Sequence, residues 1–305
     1  MASGASNGGA WRVDDAAKRP NLDDCRNVYC RIYLAPLGKK GGGVMRHYLG
    51  RKQTSNNSDW LYAVENIENL ISADEVEAYA AEAVSNIRDA ASRNHVAFAW
   101  SGGKDSIVLA ALCADAGVTE GYMAYCDLDY PAFVQWCKEH KPAGVTMMHT
   151  GYGLDWLSRN QELIFAQGAV GQRWHQISQR RPFTRMYFDK HLDILLVGHR
   201  TIDGNVCGRD GYIRKNSGEV RFAPMADWPH EVLLGYIHYH HLLLPPIYSW
   251  KDGYVQGTHA WPEREFCCTL EQGYREVYDI DPSIILAAAE KIPTAKAFLA
   301  KEAGR

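Results

Sequence analysis

The chain has no C-x-x-C pair. Its eight cysteines are scattered at 25, 30, 113, 126, 137 and 207, with an adjacent pair at 267 and 268. The usual marker of zinc knuckles and thioredoxin-like redox sites is therefore missing. Most of these thiols are expected as small core residues of a reducing compartment, without disulfides. Long apolar runs are missing too: the longest, at 193–197 and 242–247, fall far short of the roughly 20 residues a membrane helix needs. The opening residues have neither a basic start nor an apolar core, so no signal peptide is read there, and a cytoplasmic location with no membrane partner is expected. No excess of either charge exists, the net value being −3, so any contact with nucleic acid must come from local basic patches rather than a global field. What remains is the composition of an ordinary globular protein, 46% hydrophobic and 23% charged over 305 residues, enough for one large domain with appendages.

The most informative stretch is residues 97 to 106, Ala-Phe-Ala-Trp-Ser-Gly-Gly-Lys-Asp-Ser, which continues as Ile-Val-Leu-Ala-Ala-Leu-Cys. It compresses a strand, a glycine turn and a helix start into one segment. Gly102 and Gly103 let backbone approach an anion closely, and free amides at a helix start point at that anion. Ser101 and Ser106 add hydroxyl donors, and Lys104 adds a point charge suited to phosphate. The pattern reads as a pyrophosphate cradle. It is not the G-x-x-x-x-G-K-[ST] loop, whose glycine spacing differs.

Around this loop, strands alternate with helices. Ser72 and Glu75 form a capping box opening a helix with Val76, Tyr79, Ala80, Ala83, Val84 and Ile87 on one face. Strands are expected at 28–34, 122–126, 145–149 and 192–198, and helices at 131–140 and 154–165. Asp227 is placed as the N-cap of a helix that ends before Pro245 and Pro246. The order predicts an α/β fold with a doubly wound, mostly parallel sheet. Ligands in such sheets bind off the carboxyl ends of the strands, where Ser101, Asp127, Thr150 and His199 fall. Residues 1–20 are expected to be disordered, 21–70 to form an extension with a basic, glycine-rich loop, 71–255 to be the main domain and 256–305 a helical extension.

Ser101-Gly-Gly-Lys-Asp-Ser106 closely resembles the SGGxDS signature of the N-type ATP pyrophosphatases, the PP-loop family, at all six positions. The stretch from Pro224 to Tyr248, with Asp227-Trp228, Tyr236-Ile237 and Pro245-Pro246, is similar to a block of that family's phosphoadenosine phosphosulfate reductase branch, as is Gly198-His-Arg-Thr-Ile-Asp203. The resemblance covers roughly residues 94–255. It implies an adenine nucleotide α-hydrolase-like (Rossmann-like) fold, ATP as a ligand split between its α and β phosphates, and an enzyme that adenylates a second, unidentified substrate in sulfur transfer or nucleic-acid modification such as phosphorothioation. On this resemblance the 101–106 loop holds the pyrophosphate, with Lys104, Asp105 and Arg200 catalytic. Asp105 and Asp127 are candidate ligands of Mg2+, Asp127 also neighbouring the nucleotide, and Arg200 with Asp203 is the candidate anchor of the second substrate. Gly204 stands where the branch carries serine.

Other clusters stay open between chemistry and plain structure. Arg173, Arg180, Arg181 and Arg185 suit phosphate or sulfate, or else form a solvated helix face. Lys39, Lys40, Arg46, Arg51 and Lys52 suit a phosphate backbone or a solvated loop. Iron–sulfur members of the branch carry a cysteine pair where this chain has Gln179-Arg180-Arg181-Pro182, so no cluster is expected. His238, His240 and His241 are read as helix-end residues rather than metal ligands. Sulfonucleotide reduction is the alternative activity, although no cysteine follows Cys268 to serve the branch's C-terminal E-C-G-L-H motif. A non-catalytic nucleotide-binding partner protein is the third reading.

Overall fold

The computed structural model describes residues 48–50, 54–264, 267 and 269–304. The tail at 1–20, the strand expected at 28–34, the basic positions Lys39, Lys40, Arg46, Arg51 and Lys52, and Cys268 lie outside the described residues.

Three helices come first, α1 (Asn57–Glu65), α2 (Ile67–Leu70) and α3 (Ala73–Ala91). The expected capping box opens α3: Ser72 accepts from the Glu75 amide while Glu75 accepts from that of Ser72, an arrangement of the kind that adds about 1 kcal/mol. Its apolar stripe is buried from Val76 to Ala90. Alternation then begins with β1 (Val96–Ala99), α4 (Lys104–Asp115), β2 (Gly121–Tyr125), α5 (Pro131–His140) and β3 (Val145–His149). After α6 (Leu154–Leu157) and α7 (Gly168–Trp174), a π-helical turn at His175–Arg180 leads into α8 (Arg181–Asp189) and β4 (Ile194–Leu196). A hairpin of β5 (Tyr212–Arg214) and β6 (Val220–Phe222) precedes α9 (His230–Tyr239) and α10 (Gly253–Gln256). Helices α11 (Leu270–Ile280), α12 (Pro282–Ala289) and α13 (Pro293–Glu302) close the described chain.

The six strands form one sheet in the order β3-β2-β1-β4-β6-β5, parallel throughout except for the edge pair β5–β6. This is the expected α/β, doubly wound, Rossmann-like arrangement. Both faces are covered, which is why the strands read as near-continuous apolar runs. Along β1, Val96 and Phe98 enter the main core, while Ala97 faces a second layer with Phe183, Met186 and Tyr187 of α8. The chain winds from β1 outward to β3, then returns to the other side of β1 as β4. The crevice of such a sheet opens at this reversal, between the carboxyl ends of β1 and β4. Among the described residues no helix is long and apolar enough to cross a membrane.

Three local expectations differ. The helix expected over 154–165 is broken after Leu157, where the Asn160 side chain donates to the Trp156 carbonyl at 2.8 Å; a short 3-10 turn at Gln161–Leu163 follows. Helix α9 starts at His230 with Pro229 as N-cap rather than Asp227, because Met225 to Trp228 first close a turn (Trp228 amide to Met225 carbonyl, 3.0 Å). The β5–β6 hairpin was not expected: its strands have three residues each, too few for a period-2 signal.

Candidate functional site

Strand β1 delivers the chain to Trp100, 1% exposed, whose amide donates to Tyr122 of β2 at 2.8 Å. The turn that follows needs glycine. Gly102 has φ +67°, and a Cβ there would lie 2.7 Å from Cys137 Sγ and 3.1 Å from the Phe133 ring, both on α5. The two serines tie the loop together. The Ser106 hydroxyl donates to the Gly103 carbonyl at 2.9 Å and accepts from the Ser101 amide at 3.0 Å and hydroxyl at 3.2 Å. Helix α4 opens at Gly103 without a side-chain cap, so its first-turn amides face the turn. One of them, that of Lys104, donates to the Tyr248 hydroxyl at 2.8 Å. A residue from the distant Pro224–Tyr248 block thus braces the loop.

Below the loop lies a buried charge network. Lys104, 4% exposed, places its ammonium 2.7 Å from Asp105 Oδ2 and 5.2 Å from the Trp60 ring centroid. Arg200, fully buried, donates from Nε to Asp105 Oδ1 at 2.8 Å and pairs through Nη2 with Asp203 at 2.9 Å. It also meets His230 Nδ1 at 3.0 Å and the Trp228 carbonyl at 3.3 Å. Burial works against ionising Asp105, but Lys104 and Arg200 outweigh it and hold the carboxyl well below its ordinary range. His230 is driven down to about 2 by burial and then by Arg200 and Lys104. Gly198 lets the end of β4 approach: a Cβ there would sit 3.1 Å from Asp105 backbone.

Above the network, a cleft of about 480 Å³ opens at the strand reversal. One side is formed by Ser101, Lys104, Asp105 and Ser106, and an apolar wall by Ala124, Tyr125, Cys126 and Phe133. The far side carries His175, Gln179, His199, Arg221, His259 and Glu263. Asp129 lines it as well, its carboxyl raised to about 6 mainly by burial, with the bond from the Cys126 amide (2.7 Å) opposing and Glu263 adding.

The geometry places the residues singled out in the sequence as follows. Arg200 has its guanidinium buried and bonded to Asp105, Asp203, His230 and the Trp228 carbonyl. Asp203 lines the cleft but serves Arg200. Asp105 places one carboxylate oxygen against Lys104 and the other against Arg200. Asp127 is exposed, pairs with His149 at 2.8 Å and is outside the cleft lining, where Asp129 stands. Arg180, Arg181 and Arg185 are exposed and outside the lining, with Arg180 bonded to Gln176 and Arg185 to Asp189. His238 and His240 pair separately with Glu68 and Glu77, and no group of three metal-ligating side chains occurs among the described residues.

Arg221, Asp129, His175, His259 and Glu263 also line the cleft, although no motif singles them out. Only Asp129 has a local signal, four residues past the end of β2. The others come from the hairpin, the π-helical turn and the segment after α10, which the chain brings to the cleft only by folding.

A glycine loop between a parallel strand and a helix, at the reversal point of a doubly wound sheet, defines an α/β protein of the PP-loop type. The chain belongs to the phosphoadenosine phosphosulfate reductase domain family, whose model matches residues 95–256, from the start of β1 to the end of α10. Among solved structures it is similar to a phosphoadenylyl-sulfate (PAPS) reductase from Candida auris in a phosphate complex, at 11% identity and TM-score 0.45, over 59% of this chain and 94% of that one. No curated protein matches the chain.

Proposed function

We propose that the cleft binds ATP as its magnesium complex, with the β and γ phosphates on the Ser101–Ser106 loop, and that the chain splits ATP between the α and β phosphates to adenylate a second substrate. The observation that carries this reading is the loop itself: two mutually bonded serines and an uncapped helix start, at the carboxyl end of β1, facing the cleft. Donors already fixed by their neighbours stabilise a departing pyrophosphate without reorganising. The apolar wall of Ala124, Tyr125 and Phe133 suits an adenine ring. Asp105 is engaged by Lys104 and Arg200 and Asp127 lies outside the cleft lining, so magnesium enters this proposal as the nucleotide's counter-ion. Sulfur transfer or nucleic-acid modification is the proposed setting.

Membership of the family favours a second reading, reduction of a sulfonucleotide. That chemistry needs a thiolate nucleophile. Cys126 is the thiol lining the cleft among the described residues, and burial and then Asp129 push it far above its ordinary value. Cys267 is buried with its Sγ 3.8 Å from Glu276. Neither suits the role, which ranks this reading second. The test is to incubate the full chain with magnesium and ATP and assay the products: pyrophosphate is expected, and orthophosphate as the only product overturns the proposal.

A further inference from the structure

The far side of the cleft holds a cation that the loop chemistry does not use. Arg221, on β6, is 6% exposed and lines the cleft. Its Nε donates to Glu219 Oε1 at 2.5 Å, and Glu219, itself buried, also accepts from the Thr184 hydroxyl at 2.8 Å. These bonds fix the guanidinium plane and leave Nη2 buried without a hydrogen-bond partner. An unsatisfied guanidinium N–H in such a position calls for an acceptor. Strand β6 stands two places from β1, so the axes are about 10 Å apart, and Arg221 addresses a different part of the cleft from the loop.

The surroundings are electropositive. His199, at the end of β4, is pushed down to about 4 by burial and then by Arg221, His175 and Lys215, with Asp105 opposing. Lys215, in the hairpin turn, is lowered by burial, Arg221 and Arg180, with Glu219 opposing. His175 is lowered by burial, with Glu263 opposing and Arg221, Arg180 and His259 adding to the shift. The strand end, the hairpin and the π-helical turn thus bring His199, Lys215 and His175 within electrostatic reach of Arg221, with Glu219 committed to Arg221.

We propose that Arg221, with His199 beside it, receives a tetrahedral oxyanion, a phosphate or sulfate group, carried by the second reactant in the cleft. The site rests on the nucleotide reading only for what fills the rest of the cleft. A planar fork with Nε held by Glu219 and Nη2 still unpartnered suits such an oxyanion better than a point charge does.

The test uses the full chain with 15N-labelled histidine, titrated with inorganic phosphate and separately with sulfate, with and without saturating α,β-methylene-ATP. The His199 ring signals, identified by His199→Gln, are expected to move with phosphate and to move equally when the analogue is bound. Arg221→Lys, which keeps a cation beside Glu219, is expected to weaken the response at least tenfold. Arg221→Ala strands Glu219, so the wild-type titration carries the decision if that variant fails to fold. His199 signals that do not respond to either anion overturn the proposal, as does an unchanged response in Arg221→Lys. Displacement of phosphate by the analogue overturns it too, since the oxyanion would then belong to the nucleotide. Failure of the analogue to bind counts against the nucleotide reading alone, and the phosphate response still decides the role of Arg221.

Discussion

Arg200 and Asp105, 95 positions apart, meet with Nε 2.8 Å from Oδ1 and bolt the carboxyl end of β4 to the first turn of α4. The pair closes the floor of the cleft. It also explains why both side chains, attractive from the sequence as a substrate anchor and a metal ligand, are occupied by each other.

Arg200→Lys should therefore act on folding. A lysine cannot serve Asp105, Asp203, His230 and the Trp228 carbonyl together. The charge is kept, but buried acceptors lose their hydrogen bonds, at a cost of about 1–3 kcal/mol for each group left unsatisfied. Urea unfolding should show a loss of that order. A variant as stable as the wild type would contradict the structural role.

Ser101→Ala should do the opposite. Ser101 is exposed at the loop surface, and its hydroxyl takes part only in bonds within the loop. Unfolding free energy should move by less than about 1 kcal/mol. Pyrophosphate release should fall by about two to three orders of magnitude, the scale for removing a preorganised donor. Turnover within a few fold of wild type would remove Ser101 from the chemistry.

The pH dependence of stability should carry two opposed contributions. His199 titrates at about 4 in the fold against 6.5 ordinarily, so between those values the unfolded chain binds more protons and stability falls as pH drops. Asp129 titrates at about 6 against 3.8, so its contribution is present at low pH and is lost as pH rises through about 6. Urea midpoints compared at pH 4.5 and 7.5 should show His199→Gln losing less than wild type on acidification. Asp129→Asn should gain on the wild type at pH 7.5 and give up most of that gain at pH 4.5.

The cysteines separate the two enzymatic readings. The Cys267→Ser, Cys268→Ser double variant should still cleave ATP between the α and β phosphates, because positioning of phosphates needs no thiol. The wild type should release no sulfite from phosphoadenosine phosphosulfate with thioredoxin present. Thioredoxin-dependent sulfite release, abolished in the double variant, would establish the reductase reading instead.

Much of the fold was legible because it rests on local patterns. The box at Ser72 and Glu75, Pro131 at the first turn of α5, and the apolar runs at 96–99 and 145–149 each carry their own propensity and period, and the structure follows them. The loop was legible for the same reason: a turn requiring positive φ at Gly102, flanked by a strand and a helix start, can be read within ten residues. The β5–β6 hairpin could not, since strands of three residues owe their existence to pairing with β4 rather than to their own pattern.

The residue types around the cleft were all in view from the start, but their roles were not. Whether an arginine is free or spent depends on which carboxylates reach it, and those arrive from other elements. Asp105 and Asp203 consume Arg200, while Glu219 takes only the Nε of Arg221 and leaves its buried Nη2 without a hydrogen-bond partner. Asp127 and Asp129 differ by two positions, yet burial raises one into the range of a proton donor while the other stays exposed beside His149. Local sequence determined the strands, the helices and the phosphate loop, because backbone geometry and short-range periodicity act within a few residues. Tertiary structure alone decided which charges are neutralised and which face the cleft, because desolvation and ion pairing are settled by neighbours tens of positions away in the chain.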